Sequence, residues 1–317
     1  MLIIDNSSTD PWFNIAAEEY LFRNFEAEIF MVYINARSVI IGKHQNPLEE
    51  VNARCLRENN IPLIRRISGG GTVYHDEGNM NYTLIRNTED GKQVNFSEYT
   101  KPLVSFLKKE GVDAYKGEKN EIRTGNMKIS GNAEHVFKNR VLHHGTLLFS
   151  ADLGLMSRCL AQAQADISSR AVKSNPGSVA NLDGYMENIN SVDELKAGFL
   201  EYISGLYPDN EYYKLNERDI KQIQALKINK FMTWEWNYAW GPDYTFSKTF
   251  RIGEEEANVK LEVSKGIIRA CKFSGPGSWE KVETLLPGTR HFYDDIAILL
   301  NANMPVSDSD LIYNFIM

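Results

Sequence analysis

Cysteine is scarce: only Cys55, Cys159 and Cys271 occur in 317 residues. An odd number of widely spaced thiols excludes a disulfide framework and a spaced thiolate metal site, and it points to a reducing compartment, the cytoplasm. No apolar run approaches the ~20 residues of a membrane span, and Met1-Leu2-Ile3-Ile4-Asp5 is too short for a signal-peptide core. Positive charge is also short. With 35 Lys and Arg against 42 Asp and Glu the net charge is −7. The chain is therefore no general nucleic-acid binder, and any polyanion must meet a local basic patch. Internal repeats and low-complexity segments are absent. What remains is an ordinary globular composition, 43% hydrophobic and 24% charged, in a chain long enough for two domains.

The densest chemistry lies in Arg65-Arg66-Ile67-Ser68-Gly69-Gly70-Gly71-Thr72-Val73-Tyr74-His75-Asp76-Glu77-Gly78-Asn79, between extended runs at 61–64 and 80–84. Three adjacent glycines give up side-chain packing and cost conformational entropy. A fold tolerates this where another group must approach the backbone closely, and bare N–H groups suit an anion. Guanidinium groups beside them fit the same reading, since they pair with phosphate or carboxylate. A glycine-rich hairpin with surface arginines would account for the glycines alone. Arg66, Tyr74, His75, Asp76 and Asn79 crowded onto one turn favour the anion site.

The surrounding pattern is mixed. Residues 2–4, 29–34, 38–41 and 141–149 read as strands. Asp10-Pro11 caps a helix whose Phe13, Ala16, Ala17, Tyr20 and Leu21 share a face, leaving Glu18-Glu19 to solvent. Gly42-Lys43-His44-Gln45-Asn46-Pro47 is a polar loop, with Lys43 and His44 in an exposed turn, feeding a helix over 48–57. Residues 96–109 and 216–230 carry a helical period, and Ser191-Val192-Asp193-Glu194 is a capping box opening a helix to about 203. Residues 168–181 have loop composition and no apolar period, as lids and binding loops do. The tryptophans at 234, 236 and 240 read as packing. From 249 onward, alternation through Val259, Leu261 and Val263, a turn at Ser264-Lys265-Gly266 and a helix over 294–300 mark a small α+β domain.

Two further stretches matter. Lys128, set beside the glycine turn and Arg66, suits the meeting of two anions that repel one another. Joining a carboxylate to a nucleoside triphosphate needs such a cation, first to screen the approach and then to stabilise charge building at phosphorus. Glu121 or Asp76 would help hold magnesium, which takes one or two carboxylates plus phosphate oxygens. Neighbouring strand residues point to opposite faces, so His143 and His144 do not share a site, which speaks against a two-histidine metal centre. One is a hydrogen-bonded core histidine and the other a candidate to face a ligand.

Several stretches, in this order, resemble the lipoate–protein ligase family of the wider biotin/lipoate ligase fold. They are Asp10-Pro11-Trp12-Phe13-Asn14-Ile15-Ala16 with Glu18-Glu19, the loop 42–47 with Glu50-Val51-Asn52, and the stretch 65–83. Lys128-Ile129-Ser130-Gly131-Asn132-Ala133, His143-His144-Gly145-Thr146-Leu147-Leu148 and Trp234-Glu235-Trp236-Asn237 follow. The resemblance implies an α+β fold, with a mixed-sheet catalytic domain over residues 1–248 and a small accessory domain over 249–317. It implies an ATP-dependent ligase that activates lipoate as lipoyl-adenylate and transfers it to a lysine of lipoyl carrier domains. Those carriers are the lipoyl domains of 2-oxoacid dehydrogenase complexes and the glycine cleavage carrier protein.

By the same resemblance Arg66, Gly71, Thr72, Val73, Tyr74, Asn120 and Lys128 contact ATP. Arg66, Ser68, Gly69, Gly70, His75, Lys128 and His144 line lipoate, Lys128 is catalytic, and Glu121 meets Mg2+. Two stretches depart from the family pattern. Glu118-Lys119-Asn120-Glu121 stands where Gly-Arg-Asn-Asp is usual, and Asn175-Pro176-Gly177-Ser178 where arginine is common. Two other functions are possible on this fold: an octanoyltransferase carrying the acyl group on a cysteine, for which Cys159 is the candidate, and a non-catalytic lipoate-binding protein.

Overall fold

The computed structural model describes residues 1–89, 94–161, 165–174, 177–304 and 310–317. The strands are β1 (Leu2–Asp5), β2 (Ile29–Ile34), β3 (Ser38–Ile41), β4 (Leu63–Arg65), β5 (Val73–His75), β6 (Asn79–Asn87), β7 (Ala114–Lys116) and β8 (Glu121–Thr124). Then come β9 (Met127–Phe137), β10 (Arg140–Leu148), β11 (Asp166–Ser169), β12 (Glu211–Tyr212), β13 (Tyr244–Ile252), β14 (Glu255–Ser264) and β15 (Ile267–Ser274). The helices are α1 (Pro11–Asn24), α2 (Pro47–Glu50), α3 (Ala53–Glu58), α4 (Phe96–Lys109), α5 (Leu153–Cys159), α6 (Val192–Leu206) and α7 (Glu217–Leu226). The last three are α8 (Val282–Leu285), α9 (Tyr293–Asn303) and α10 (Asp310–Tyr313).

Backbone contacts divide the chain into two compact units, each assembled from separated segments. The first comprises Met1–Gly42, Ile64–Met156 and Asn175–Met232; the second comprises Lys43–Leu63, Ser157–Ser174 and Thr233–Met317. A boundary between 248 and 249 falls inside β13, which runs on from Tyr244 to Ile252.

The first unit is built on a sheet with strand order β12-β1-β2-β6-β10-β9-β8-β7. The β1 strand is parallel to both neighbours, and every pair from β2/β6 onward is antiparallel. This is the mixed sheet of the expected α+β class. Its two faces differ chemically. On one, Phe30, Val32, Met80, Tyr82, Leu84 and Leu147 pack against Leu103 and Phe106 of α4 and Phe199 and Ile203 of α6. Burial of this kind contributes roughly 25 cal/mol per Å² of apolar surface. On the other, register places Tyr33 opposite Asn81, Asn81 opposite Thr146 and Thr83 opposite His144. Residues opposite one another share a face, so this face is buried and polar. A three-stranded sheet, β4-β3-β5, frames the glycine turn.

Local sequence rules explain most element ends. Asp10 accepts from the amides of Trp12 and Phe13, and Pro11 takes the first helical position of α1. The expected helix over 48–57 is two pieces, because the Asn52 side chain leaves the helical path to cap the amide of Cys55 at 2.9 Å. Ser191 caps Glu194 as expected, but the Glu194 carboxylate accepts from Asn190 (2.7 Å), so the box is not reciprocal. A reciprocal box occurs instead at Asn216 and Asp219. The helical period over 216–230 ends as α-helix at Leu226 and continues as a π-type turn, Lys227–Phe231. Ser168 and Ser169, expected in a loop, pair with β13 as part of β11, and Asn175 and Pro176 lie outside the described residues.

Glu18 and Glu19 correct the sequence reading. They are 1% and 4% exposed rather than solvated. Their compensating partners come from far along the chain, where a local period gives no sign of them. Glu19 pairs with Lys230 (2.5 Å) as well as with its helix neighbour Arg23 (2.7 Å).

The second unit carries the sheet β11-β13-β14-β15. Its Phe246, Val259, Leu261 and Val263 share a core with Val282, Leu286, Ile296 and Leu300. The 264–266 turn uses left-handed backbone at Lys265 and Gly266 (φ 51° and 68°). Trp236 and Trp240 pack as a tilted pair with ring centroids 4.9 Å apart, and Arg290 lies 4.5 Å over Trp234, so these rings pack within the unit. No helix among the described residues is long and apolar enough to cross a membrane.

Candidate active site

The glycine turn between β4 and β5 is shaped from within. Gly70 has φ +82°, a conformation open to glycine at little cost. A Cβ there would lie 3.4 Å from the Ala133 side chain of β9, and a Cβ on Gly42, just after β3, would collide with the Gly70 carbonyl. Arg66 is buried and gathers the turn around itself. Its Nε donates to Ser68 Oγ (2.9 Å), Nη1 to Ile40 O (3.2 Å), and Nη2 to Gly69 O (2.5 Å) and Gly71 O (2.7 Å). Among the described residues none accepts from the amides of Gly69, Gly70 or Gly71. Carbonyls turned onto the arginine and amides left bare suit an anion at the turn.

Lys128 stands beside it. The main chain of Lys128 is strapped to the segment after the undescribed pair: its amide donates to Ser178 O (2.8 Å), and Ala180 donates to its carbonyl (3.1 Å). Its Nζ lies 3.2 Å from the Cβ position of Gly131, and that position lies 4.0 Å from Val73 of the turn. Burial lowers the Lys128 pKa, the Glu121 carboxylate opposes this, and the Arg66 and Arg123 guanidinium groups lower it further. Three cations facing one carboxylate make the local basic patch that an acidic chain needs in order to hold a polyanion.

The remaining acidic and amide candidates divide. Glu121 is held only loosely, 3.6 Å from Arg123 Nη1. Asn120 is spent on β9: its Nδ2 donates to Asn132 O, and its own carbonyl accepts from the Asn132 amide (3.0 Å) and Nδ2 (2.9 Å). Asp76 accepts from the amides of Gly78 (3.0 Å) and Asp152 (2.8 Å), so it fixes a turn rather than facing a cation. Among the described residues no group of three His, Cys, Asp or Glu side chains could hold a metal. The donors fit only a cation that brings most of its own oxygens, as magnesium on a triphosphate does.

Behind the turn lies a buried polar cluster. Ser68 Oγ is 2.6 Å from His144 Nε2, and His144 Nδ1 is 2.8 Å from Glu18 Oε2. Glu18 Oε1 accepts from Tyr33 (2.9 Å) and from Thr83. Burial pushes the Glu18 carboxyl up, but the His144 imidazole and these hydroxyls outweigh it and hold the group below its ordinary value.

A second chain of contacts fixes His75. Asn6 donates to Asn14 (2.9 Å), Asn14 to Asn35 (2.8 Å), and Asn35 to His75 Nδ1 (2.9 Å). The His75 proton therefore sits on Nε2, a buried donor with no partner among the described residues. Burial, helped by Arg66 and His144, lowers the His75 pKa to about 3, so the ring is neutral and offers that N–H to an acceptor. His143 points to the other face, bonded to Glu134 (3.0 Å) and facing Tyr82 Oη (3.3 Å), the core histidine that strand alternation requires.

The Lipoyl protein ligase A/B catalytic domain model matches residues 10–204. The chain belongs to the lipoate–protein ligase family. It is 38% identical to Lipoate–protein ligase 1 of Staphylococcus aureus, covering 93% of this chain and 91% of that protein. It is 35% identical to Lipoate-protein ligase LplJ of Bacillus subtilis, covering 95% and 93%. Among solved structures it resembles the Thermoplasma acidophilum lipoate protein ligase Ta0514 with bound lipoic acid, at TM-score 0.64 and 28% identity over 74% of this chain and 98% of that one. A lipoate-protein ligase A bound with ATP gives TM-score 0.64 and 28% identity over 74% and 97%.

Within this ligase the sequence-derived residues Arg66, Ser68, Gly69, Gly70, Gly71, Val73, His75, Lys128 and His144 all fall in the first unit, around the turn and the polar face of the large sheet. Thr72 is half-buried on the same turn, and Tyr74 is buried in β5 opposite Val39. Tyr33 and Asn35 carry no motif signal; Glu18 and Thr83 lie in stretches that resemble the family, but Glu18 reads there as part of a solvated helix face and Thr83 as strand. Cys159, the candidate acyl carrier of the transferase reading, is fully buried in the second unit, 3.2 Å from Cys55 Sγ. A thiol so enclosed presents no sulfur to an acyl donor.

Proposed function

We propose that this ligase activates lipoate with ATP as lipoyl-adenylate and passes the lipoyl group to a lysine of lipoyl carrier domains. One observation carries the reading: the half-buried Lys128 ammonium sits beside a glycine turn whose amides are bare, with Arg66 and Arg123 close enough to repel it. Such an array draws a carboxylate and a triphosphate together and stabilises charge growing at the α-phosphate. Lys128 bridges the two anions. Gly71, Thr72, Val73 and Tyr74 follow the nucleotide. Ser68, Gly69, Gly70 and the free His75 N–H meet the acyl carboxylate, and Arg66 acts by holding the turn.

Glu121 would hold magnesium, which would supply charge neutralisation at the triphosphate. Asn120 supports β9 beneath the phosphates. The relatives' substrates support lipoate and ATP here. Lipoyl domains of 2-oxoacid dehydrogenase complexes and the glycine cleavage carrier are the proposed acceptors, in a cytoplasm that keeps the three buried cysteines reduced.

The test is incubation of a purified lipoyl domain with the protein, ATP, magnesium and lipoate, read as a lipoyl mass increase, alongside lipoate-dependent exchange of pyrophosphate into ATP. Lys128→Ala should abolish exchange with the melting transition unchanged. A wild-type protein that transfers acyl groups or binds lipoate without any exchange would replace this reading by one of its two alternatives.

A further inference from the structure

The second half of this chemistry makes a demand that the first does not. Lipoate enters activation as a carboxylate and needs no base. Aminolysis must take a proton from the attacking nitrogen. The buried cluster behind the glycine turn is arranged for that task. Glu18 is charged, holds the proton of His144 on Nδ1 (2.8 Å), and so leaves the Nε2 lone pair facing Ser68 Oγ at 2.6 Å. Ser68 in turn borders the bare turn, its oxygen also accepting from Arg66 Nε at 2.9 Å. Nucleophile-side hydroxyl, imidazole and orienting carboxylate in this order are the geometry by which a base acts through a hydroxyl.

We infer that Ser68 and His144 form the proton path of acyl transfer to the carrier lysine, with Glu18 as the positioning residue that sets the imidazole. This rests on the lipoyl-adenylate reading above. The free amine of the lysine attacks the acyl carbon and a C–N bond forms. The tetrahedral nitrogen gives a proton to Ser68 Oγ while Ser68 gives its own to His144 Nε2. The bond from acyl carbon to phosphate oxygen then breaks, AMP leaves with the electron pair, and His144 returns its proton to solvent. Glu18 from α1 bonds His144 directly, and His75 of β5 and the neighbouring His143 of β10 lie close enough to interact with it, while Tyr33 of β2 and Thr83 of β6 hold the other oxygen of Glu18 and Arg66 of the turn holds Ser68.

The experiment measures two half-reactions of one variant, Glu18→Gln: single-turnover transfer from chemically prepared lipoyl-adenylate to a lipoyl domain, and lipoate-dependent pyrophosphate exchange. Transfer should fall by about 10²-fold at pH 7, the usual worth of a general base, and recover as pH rises to 9 and hydroxide substitutes for the missing acceptor. Exchange should fall far less. Equal loss in both half-reactions, or a transfer defect that pH does not relieve, assigns Glu18 a purely structural role and overturns the inference. If Glu18→Gln does not fold, Ser68→Ala carries the test in the transfer half-reaction alone, with adenylate supplied at saturation because Ser68 also meets the acyl carboxylate; a maximal single-turnover rate within twofold of wild type, or a defect that pH 9 does not relieve, overturns the inference there too. Wild-type protein without exchange removes the adenylate reading, while aminolysis of supplied adenylate still tests the proton path.

Discussion

Replacing Gly42 by alanine tests whether the glycine turn is a positioned surface or a tolerant loop. The added Cβ meets the Gly70 carbonyl head-on, with the Gly70 and Gly69 carbonyl carbons at 3.1 and 3.2 Å. All three obstacles are backbone, so no side chain can swing aside. Ordinary Cβ contact begins near 3.4 Å. The carbonyl must therefore retreat by about 1 Å, a misplacement that in a positioned site costs roughly 10²-fold in rate. Overpacking alone costs roughly 1–3 kcal/mol of stability. Because Arg66 grips both Gly69 and Gly71, the displacement is passed along the turn rather than absorbed at one residue. The assay is kcat for pyrophosphate exchange together with urea unfolding. Gly69→Ala is the stability control, since nothing lies within 4 Å of its Cβ position. A Gly42→Ala protein with kcat within twofold of wild type would refute the reasoning.

Other expectations follow from the same geometry. Burial lowers Lys128 from the ordinary lysine value of ~10.4, so the alkaline limb of kcat/KM for exchange should arrive early; a limb at or above the ordinary value contradicts the assignment. His75, lowered to about 3, binds fewer protons in the folded state than in the unfolded chain between that value and about 6.5, so stability falls as pH drops through this window. From pH 6.5 to 5 the His75 share is about 2 kcal/mol, measured as a change in urea unfolding free energy that His75→Gln should shrink. Gly145→Ala drives a Cβ into Asn132 Oδ1 and to within 2.7 Å of the Tyr82 ring, and should cost roughly 1–3 kcal/mol by thermal or urea unfolding. Asn216→Ala removes the reciprocal cap of α7 and should cost about 1 kcal/mol.

The elements legible in the sequence are those fixed by neighbours along the chain. Strands β2 and β3 and helix α4 follow from period, and the cap at Asp10 and the turn at Lys265-Gly266 follow from residue type. The glycine turn was legible because three glycines have few other uses. What stayed hidden depends on partners far along the chain. Glu18 and Glu19 looked solvated because α1 shows an apolar stripe, yet Glu18 meets residues 15, 65 and 126 positions away. Arg66 read as an anion ligand; that it also gathers three carbonyl oxygens and Ser68 could not be read, since a guanidinium suits carbonyl oxygens equally. The composite make-up of the two units could not be read either, since Lys43–Leu63 and Ser157–Ser174 join Thr233–Met317 only through tertiary contacts.

The relay from Asn6 through Asn14 and Asn35 to His75 runs in one direction, each amide passing a hydrogen to the next. Its weakness is chemical ageing. Hydrolysis of the Asn35 amide to a carboxylate would put an acceptor where a donor stood, pull a proton onto Nδ1 and turn a neutral ring into a cation. Stored protein would then lose activity without losing its fold, and the lost fraction would track a mass gain of one dalton at that asparagine.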